Sequence, residues 1–438
     1  MNIWLTLLLV ITFQTNVVAL VGPQPSPPAR VVTQVLEIQE GRRGRLRSQQ
    51  DLSLDFKVLY EAHEWMKLKA AVKGSKAPAF YQGAVAAVFN DAAVAEKYLN
   101  QAIKSSPNSE QVSDAYSLLT QTYIRNGQYS RAVSAIDEGL KLKPNDIGLK
   151  NARALFGALA KIPEQTVITH GFSKIQYTLR DGNLFVPVQL NETPVKGLVD
   201  TGANFSLISF SEAKRLGLAI RDANGATMGD SAGADVAFQI AEADSLIIGK
   251  VKLRHVIFFV MRDDQQPFVE LPEGERMIIG FPVLFALQAF GWDRSGNFEI
   301  GLAQERRSPS NIWFEGSEVV FQGQFNNSKI GIFLDTGATR TRVLSRFAKE
   351  FPSVVDAYGI KSKDRVTGVG SSVEVDSMTL PELKFRISAS EVILRQAKVL
   401  VKDTASNNDW YHVWIGMDLL KQPRRVSVDF RSMSVKAE

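Results

Sequence analysis

Cysteine is missing from all 438 residues, which excludes disulfides, a cysteine nucleophile and thiolate metal sites. Histidine is nearly as scarce. His63, His170, His255 and His412 stand far apart and form no HExxH pair, so no metal site and no cofactor are expected. Charge of one sign is also lacking, since 51 Lys and Arg against 46 Asp and Glu leave a net charge of only +5. The basic residues are scattered apart from Arg42, Arg43, Arg45 and Arg47, and no nucleic-acid partner is expected. A hydrophobic fraction of 45% and a charged fraction of 22% are those of a soluble globular chain, and the length calls for two or three domains.

Long apolar runs are absent except at the N-terminus. Leu5 to Phe13 is apolar, polar Gln14-Thr15-Asn16 follows, and Val17-Val18-Ala19 ends in a small residue. This pattern predicts a signal peptide over 1–19 and an exported protein, periplasmic or secreted. An uncleaved N-terminal anchor is the alternative, although the run is short for a full span, and no other segment could cross a membrane. Pro23, Pro25, Pro27 and Pro28 open a Pro-rich and basic linker over 20–50.

Residues 51–162 change character, with apolar residues at helical spacing and Pro78, Pro107 and Pro144 as punctuation. From Ser113 to Asp146, Tyr116, Leu119, Tyr123, Gly127, Tyr129, Ala132, Ile136, Gly139 and Pro144 hold positions that resemble the packing pattern of a tetratricopeptide repeat. A weaker copy has Gly83, Ala95, Leu99, Ala102 and Pro107. Such units bury their apolar faces only by stacking, so the segments 51–70 and 146–161 are expected to be flanking helices. A generic helical bundle is the alternative.

After Pro163 the period switches to two, with short strands and Gly/Asn/Asp turns. Two stretches then repeat. Val186 to Ala203 and Val320 to Ala338 each read as a strand, an Asn-containing turn, and an apolar strand running into Asp-Thr-Gly-Ala. Ile278-Ile279-Gly280 ends 80 residues past Asp200, and Trp414-Ile415-Gly416 ends 81 past Asp335. Trp292-Asp293 and Val428-Asp429 keep the same register.

One Asp-Thr-Gly is a weak signal, but two in matched contexts are specific. Over about 170–436 the chain resembles the retropepsin and pepsin superfamily of aspartic peptidases. The resemblance implies an all-β bilobal acid-protease fold of two retropepsin-like lobes (170–305 and 311–438) behind an N-terminal all-α, tetratricopeptide-like domain. It implies catalytic Asp200 and Asp335, one from each lobe, so that the dyad forms within one chain. Thr201, Gly202, Ala203, Thr336, Gly337 and Ala338 would shape the catalytic loops, and Gly280 and Gly416 the ψ-shaped loops beneath them. Ser206 and Thr341, six residues past each aspartate, are expected to support these loops.

The chemistry needs these residue types. Without metal or covalent intermediate, peptide hydrolysis requires a base to activate water and an acid for the other side. Two adjoining carboxyls that cannot both ionise provide them. Glycine-rich turns at Gly225–Gly233 and Thr367–Gly370 resemble the family's flaps, which make Gly229 and Gly368 substrate-binding candidates. Retroviral members often carry two acidic residues after Asp-Thr-Gly-Ala. Here Asn204-Phe205 and Thr339-Arg340 stand there instead, so one subsite should be more apolar and the other more cationic.

The expected function is an aspartic endopeptidase acting on a peptide or protein substrate, with the helical repeats docking substrate or a protein partner. One alternative is a non-catalytic peptide-binding scaffold. Another is an enzyme that cuts itself between Lys161 and His170.

Overall fold

The structure is a computed structural model that describes residues 9–10, 56–230, 235–302, 310–367, 372–402 and 410–438. The expected signal peptide and linker, and the candidate Gly368, lie outside these residues apart from the short strand Leu9–Val10. Among the described residues no helix is long and apolar enough to cross a membrane.

The N-terminal part is helical. After a first turn over 56–61 come α1 (Trp65–Val72), α2 (Ala79–Val88), α3 (Ala92–Ser105), α4 (Gln111–Arg125), α5 (Tyr129–Leu142) and α6 (Ile147–Leu159). Local chemistry sets the boundaries. Pro78 directly precedes α2, while Asp91 and Asp146 cap α3 and α6 by accepting from Val94 N (3.2 Å) and Leu149 N (2.9 Å). Gly127, at φ 70°, turns the chain between α4 and α5. Helices α2 and α3 press together at Gly83, where an added Cβ would lie 2.8 Å from Leu99 N. Ala95 and Ala132 are wholly buried.

From Thr166 onward the chain is mostly strand. Among the strands of the first half are β1 (Asn183–Leu190), β2 (Thr193–Val199), β3 (Ser206–Ser209), β4 (Ala219–Asp230), β5 (Asp235–Ala243), β6 (Val256–Met261) and β7 (Met277–Ile279). The second half has β8 (Glu318–Phe325), β9 (Ser328–Leu334), β10 (Arg342–Val343), β11 (Ile360–Thr367), β12 (Ser372–Ile387), β13 (Ser390–Leu400) and β14 (Val413–Ile415). The lateral orders are β1-β2-β7-β3-β6-β5-β4 and β8-β9-β14-β10-β13-β12-β11, which are the same order displaced by seven. Two-residue Asn turns close the β1–β2 and β8–β9 hairpins, with Asn191 and Asn326 at positive φ. A further sheet joins the halves through Ala289–Asp293 and Arg425–Asp429, whose antiparallel register centres on Gly291 opposite Ser427.

The helices are docked onto the sheets. One apolar core lies within the two halves, around residues such as Phe290, Phe321 and Val428. A second runs continuously from α2–α6 into Phe205, Phe259, Ile278, Phe333 and Trp414, on the side where both Asp-Thr-Gly loops lie. Polar contacts tie the same junction. Buried Arg125 donates to Gly316 O (2.6 Å) and Ala87 O, Trp65 Nε1 donates to Glu315 Oε1 (2.5 Å), and Arg346 pairs with Glu64 (2.9 Å). Burial brings the Arg125 guanidinium down to about 9 against the pull of Glu315, so these carbonyls hold an expensive cation in place. Arg125→Ala is expected to cost about 2–4 kcal/mol, read as a lower urea midpoint. Arg125→Lys should recover only part of that, because one ammonium cannot span both carbonyls as the guanidinium does.

Candidate active site

Each aspartate sits where an apolar central strand ends. Asp200 N donates to Ile279 O (3.0 Å), and Asp335 N donates to Ile415 O (3.1 Å). The chain then turns, and Asp200 Oδ1 accepts from Gly202 N (2.8 Å) and Ala203 N (3.1 Å). Asp335 Oδ1 likewise accepts from Gly337 N and Ala338 N, both at 2.9 Å. The two loops therefore present their carboxyls in the same way.

The threonines lock the loops together. Thr201 Oγ1 donates to Leu334 O (2.7 Å) and accepts from Thr336 N (3.0 Å). Thr336 Oγ1 donates to Val199 O (2.7 Å) and accepts from Thr201 N (3.1 Å). All four groups are buried, so each bond satisfies a donor or acceptor that water cannot reach. Glycine is required beside them for space. An added Cβ at Gly202 would stand 2.7 Å from Asp335 Cγ, and one at Gly337 would overlap the Asp200 carboxyl. Beneath the loops, Gly280 N donates to Ser206 Oγ (3.1 Å) and Gly416 N to Thr341 Oγ1 (3.0 Å). Phe281 N reaches Ala203 O (2.8 Å) and Met417 N reaches Ala338 O (2.7 Å).

This brings Asp200 and Asp335 into mutual side-chain contact, both with no exposed surface. Burial and the neighbouring Asp335 charge raise Asp200 well above the carboxylate range, and the N–H groups of Gly202 and Ala203 only partly oppose this. Burial also pushes Asp335 up, to about 6, while Trp414, Ala338, Asp200 and Gly337 pull it back by hydrogen bonding. The difference has a visible source. Trp414 Nε1 donates to Asp335 Oδ2 at 2.5 Å, whereas Asp200 Oδ2 receives no N–H or hydroxyl donor among the described residues. Ile278 stands at the matching place in the first half and has nothing to donate.

The other candidates are more dispersed. Asn204 lines a cavity beside the helices, and Phe205 stacks on Phe259 (4.5 Å between centroids) with Tyr129 and Phe156 beyond it at 6.4 Å. Thr339 lies against Gly182, and Arg340 is exposed. Gly229 belongs to β4, opposite Asp235. Arg342, the other cation near the second loop, turns toward β11 to meet Asp364 Oδ2 (2.8 Å) and lies over the Trp414 ring.

Sequence reasoning passed over four groups. By its place in Trp414-Ile415-Gly416, Trp414 is simply an apolar residue of its loop. Asp418 accepts from Thr341 N (2.8 Å) and Thr341 Oγ1 (2.6 Å), where the first half has Pro282. Glu318 and Tyr411 are buried near Asp335. Comparing the halves position by position carries a signal for three of these, since Ile278, Pro282 and Asn183 stand where Trp414, Asp418 and Glu318 do.

Residues 186–283 match the aspartyl protease family model. No curated protein matches the chain. Among solved structures, a retropepsin-like aspartic protease from Rickettsia conorii is similar at 19% identity and a TM-score of 0.21, over 32% of this chain and 95% of that one. The retroviral protease-like domain of Ddi1 from Leishmania major is similar at 20% identity and a TM-score of 0.17, over 29% and 98%.

Thr201→Val is expected to lower stability by about 2–4 kcal/mol, because it strands Leu334 O and Thr336 N in the interior. Thr201→Ser should keep most of it. Urea unfolding of the three proteins checks both.

Proposed function

We propose that this chain is an aspartic endopeptidase whose acid and base are Asp200 and Asp335. The observation that carries the reading is two buried carboxyls in contact, contributed by equivalent loops but given unequal donors. Asp200 keeps the proton, since burial and its neighbour both favour its neutral form. Asp335, steadied by Trp414 and two backbone N–H groups, is the carboxylate.

The chemistry runs as follows. Asp335 takes a proton from a water bound between the carboxyls as the water oxygen attacks the scissile carbonyl carbon. Asp200 gives its proton to the carbonyl oxygen, forming a gem-diol. That proton returns to Asp200 and the one on Asp335 passes to the leaving nitrogen, so the C–N bond breaks and the pair is restored.

The repeated strand order supports a bilobal protease built from two retropepsin-like lobes. Paired helices with small residues at their crossings support a tetratricopeptide-like docking module for substrate or a partner. The apolar segment before residue 20 supports export. Because both carboxyls are inaccessible in this conformation, a peptide reaches them only when the helical face or a β-hairpin moves aside.

Asp200→Asn and Asp335→Asn should each abolish pepstatin-sensitive cleavage of a peptide library; undiminished activity in either would overturn the assignment. In wild type, kcat/KM should rise with pH through about 6 as Asp335 ionises, and fall again on the alkaline side as Asp200 loses its proton. Trp414→Phe removes the donor that favours the carboxylate. It should move the acid limb to higher pH, by about one unit. A pH–rate profile of both proteins reads the displacement.

A further inference from the structure

Between the helices and the second half of the β region lies a cavity of about 900 Å3, whose wall includes Tyr60, Asp114, Asn204, Glu315, Glu318 and Trp410. Its basic side chains lie toward other acids. His63 bonds Glu315 at 2.8 Å, and Lys143 lies toward Asp114. Glu315 is satisfied as well, by His63, by the indole of Trp65 and by the nearby charge of Arg125.

Glu318 is not satisfied. Its side chain is 5% exposed, and its Oε2 has no partner among the described residues. The hydroxyl of buried Tyr411 donates to it, but the other charges it feels are the carboxyls of Glu315 and Asp335. A buried carboxyl flanked by two others, with no ion-pair partner among the described residues, is strongly disfavoured as an anion. Burial and those neighbours push it up to about 8, so it waits protonated. The matching position in the first half, 17 residues before its aspartate, is Asn183, which is also buried with an unpartnered oxygen but is uncharged.

We propose that Glu318 is a specificity-determining residue, and that the cavity it lines receives a lysine or arginine side chain of the peptide substrate. A substrate cation supplies the counter-charge the site lacks. On docking, Glu318 gives up its proton to solvent and forms a charge-assisted bond to the ammonium or guanidinium. Its proximity to Asp335 sets that side chain close to the scissile bond, and neutral Asn183 confines the preference to one side of it. This assignment rests on the peptidase reading above, and the test separates the two.

First, a peptide library is digested by the full chain and by Glu318→Gln, which fills the same volume without the charge. Wild type should favour Lys or Arg over norleucine at one fixed position by about tenfold or more, and the variant should lose that ratio. Cleavage without a basic preference, or a preference the variant keeps, overturns the proposal. Second, binding is read without turnover, as the thermal shift produced by n-butylguanidinium against neutral n-butylurea. The guanidinium should stabilise wild type saturably and lose its advantage in Glu318→Gln. An equal response of both proteins overturns the proposal even if no peptide is cut, whereas a selective response without any cleavage sinks only the peptidase reading.

Discussion

Two carboxyls buried against each other cannot both carry charge, and the architecture around Asp200 and Asp335 is built to keep them together regardless. Burying two acids side by side is costly, so something must hold the loops in place. The reciprocal threonine bonds do so, tying each loop to the strand that delivers the other. Because these bonds are buried, opening the pair would strand two hydroxyls and four backbone groups in a dry interior. Glycine at 202 and 337 is the geometric counterpart, since any side chain there would occupy the space of the opposite carboxyl.

Within this symmetric frame the second half has departed from the first in ways that all bear on charge. Trp414 in place of Ile278 adds a donor to one carboxyl, and Asp418 in place of Pro282 anchors the hydroxyl beneath the same loop. Glu318 in place of Asn183 adds a further acid to the same neighbourhood. Two identical carboxyl environments would favour neither oxygen for the proton. Here the donors are unequal, so burial raises both carboxyls but hydrogen bonding opposes it more at Asp335.

The helical part shares this chemistry's surroundings. Its apolar face continues into the core that includes Phe205, Ile278 and Trp414, and its polar groups close over Glu315 and Gly316. Water is thereby kept from the carboxyls, which is the physical reason their protonation departs so far from that of exposed acids. The helices are part of the electrostatic environment of the site, and their placement also forms one wall of a neighbouring cavity of about 900 Å3.

Much of this was readable from local pattern. The Asp-Thr-Gly loops, the glycines at 280 and 416 and the Asn turns are set by steric demands that only a few residue types meet. The matched spacing behind each aspartate followed from the strand order repeating. What local pattern could not carry is whatever depends on which surfaces meet. Phe205, adjacent to the first Asp-Thr-Gly loop in sequence, lies in an aromatic stack reaching α5 and α6. Arg342 faces Asp364 because β10 and β11 bring them together across 22 residues. The sequence by itself determined that two equivalent acidic loops exist, because each is made by a contiguous run of residues. Only the tertiary structure decided which donors reach each carboxyl and what covers the pair, because burial and hydrogen-bond partners are supplied by residues far away in the chain.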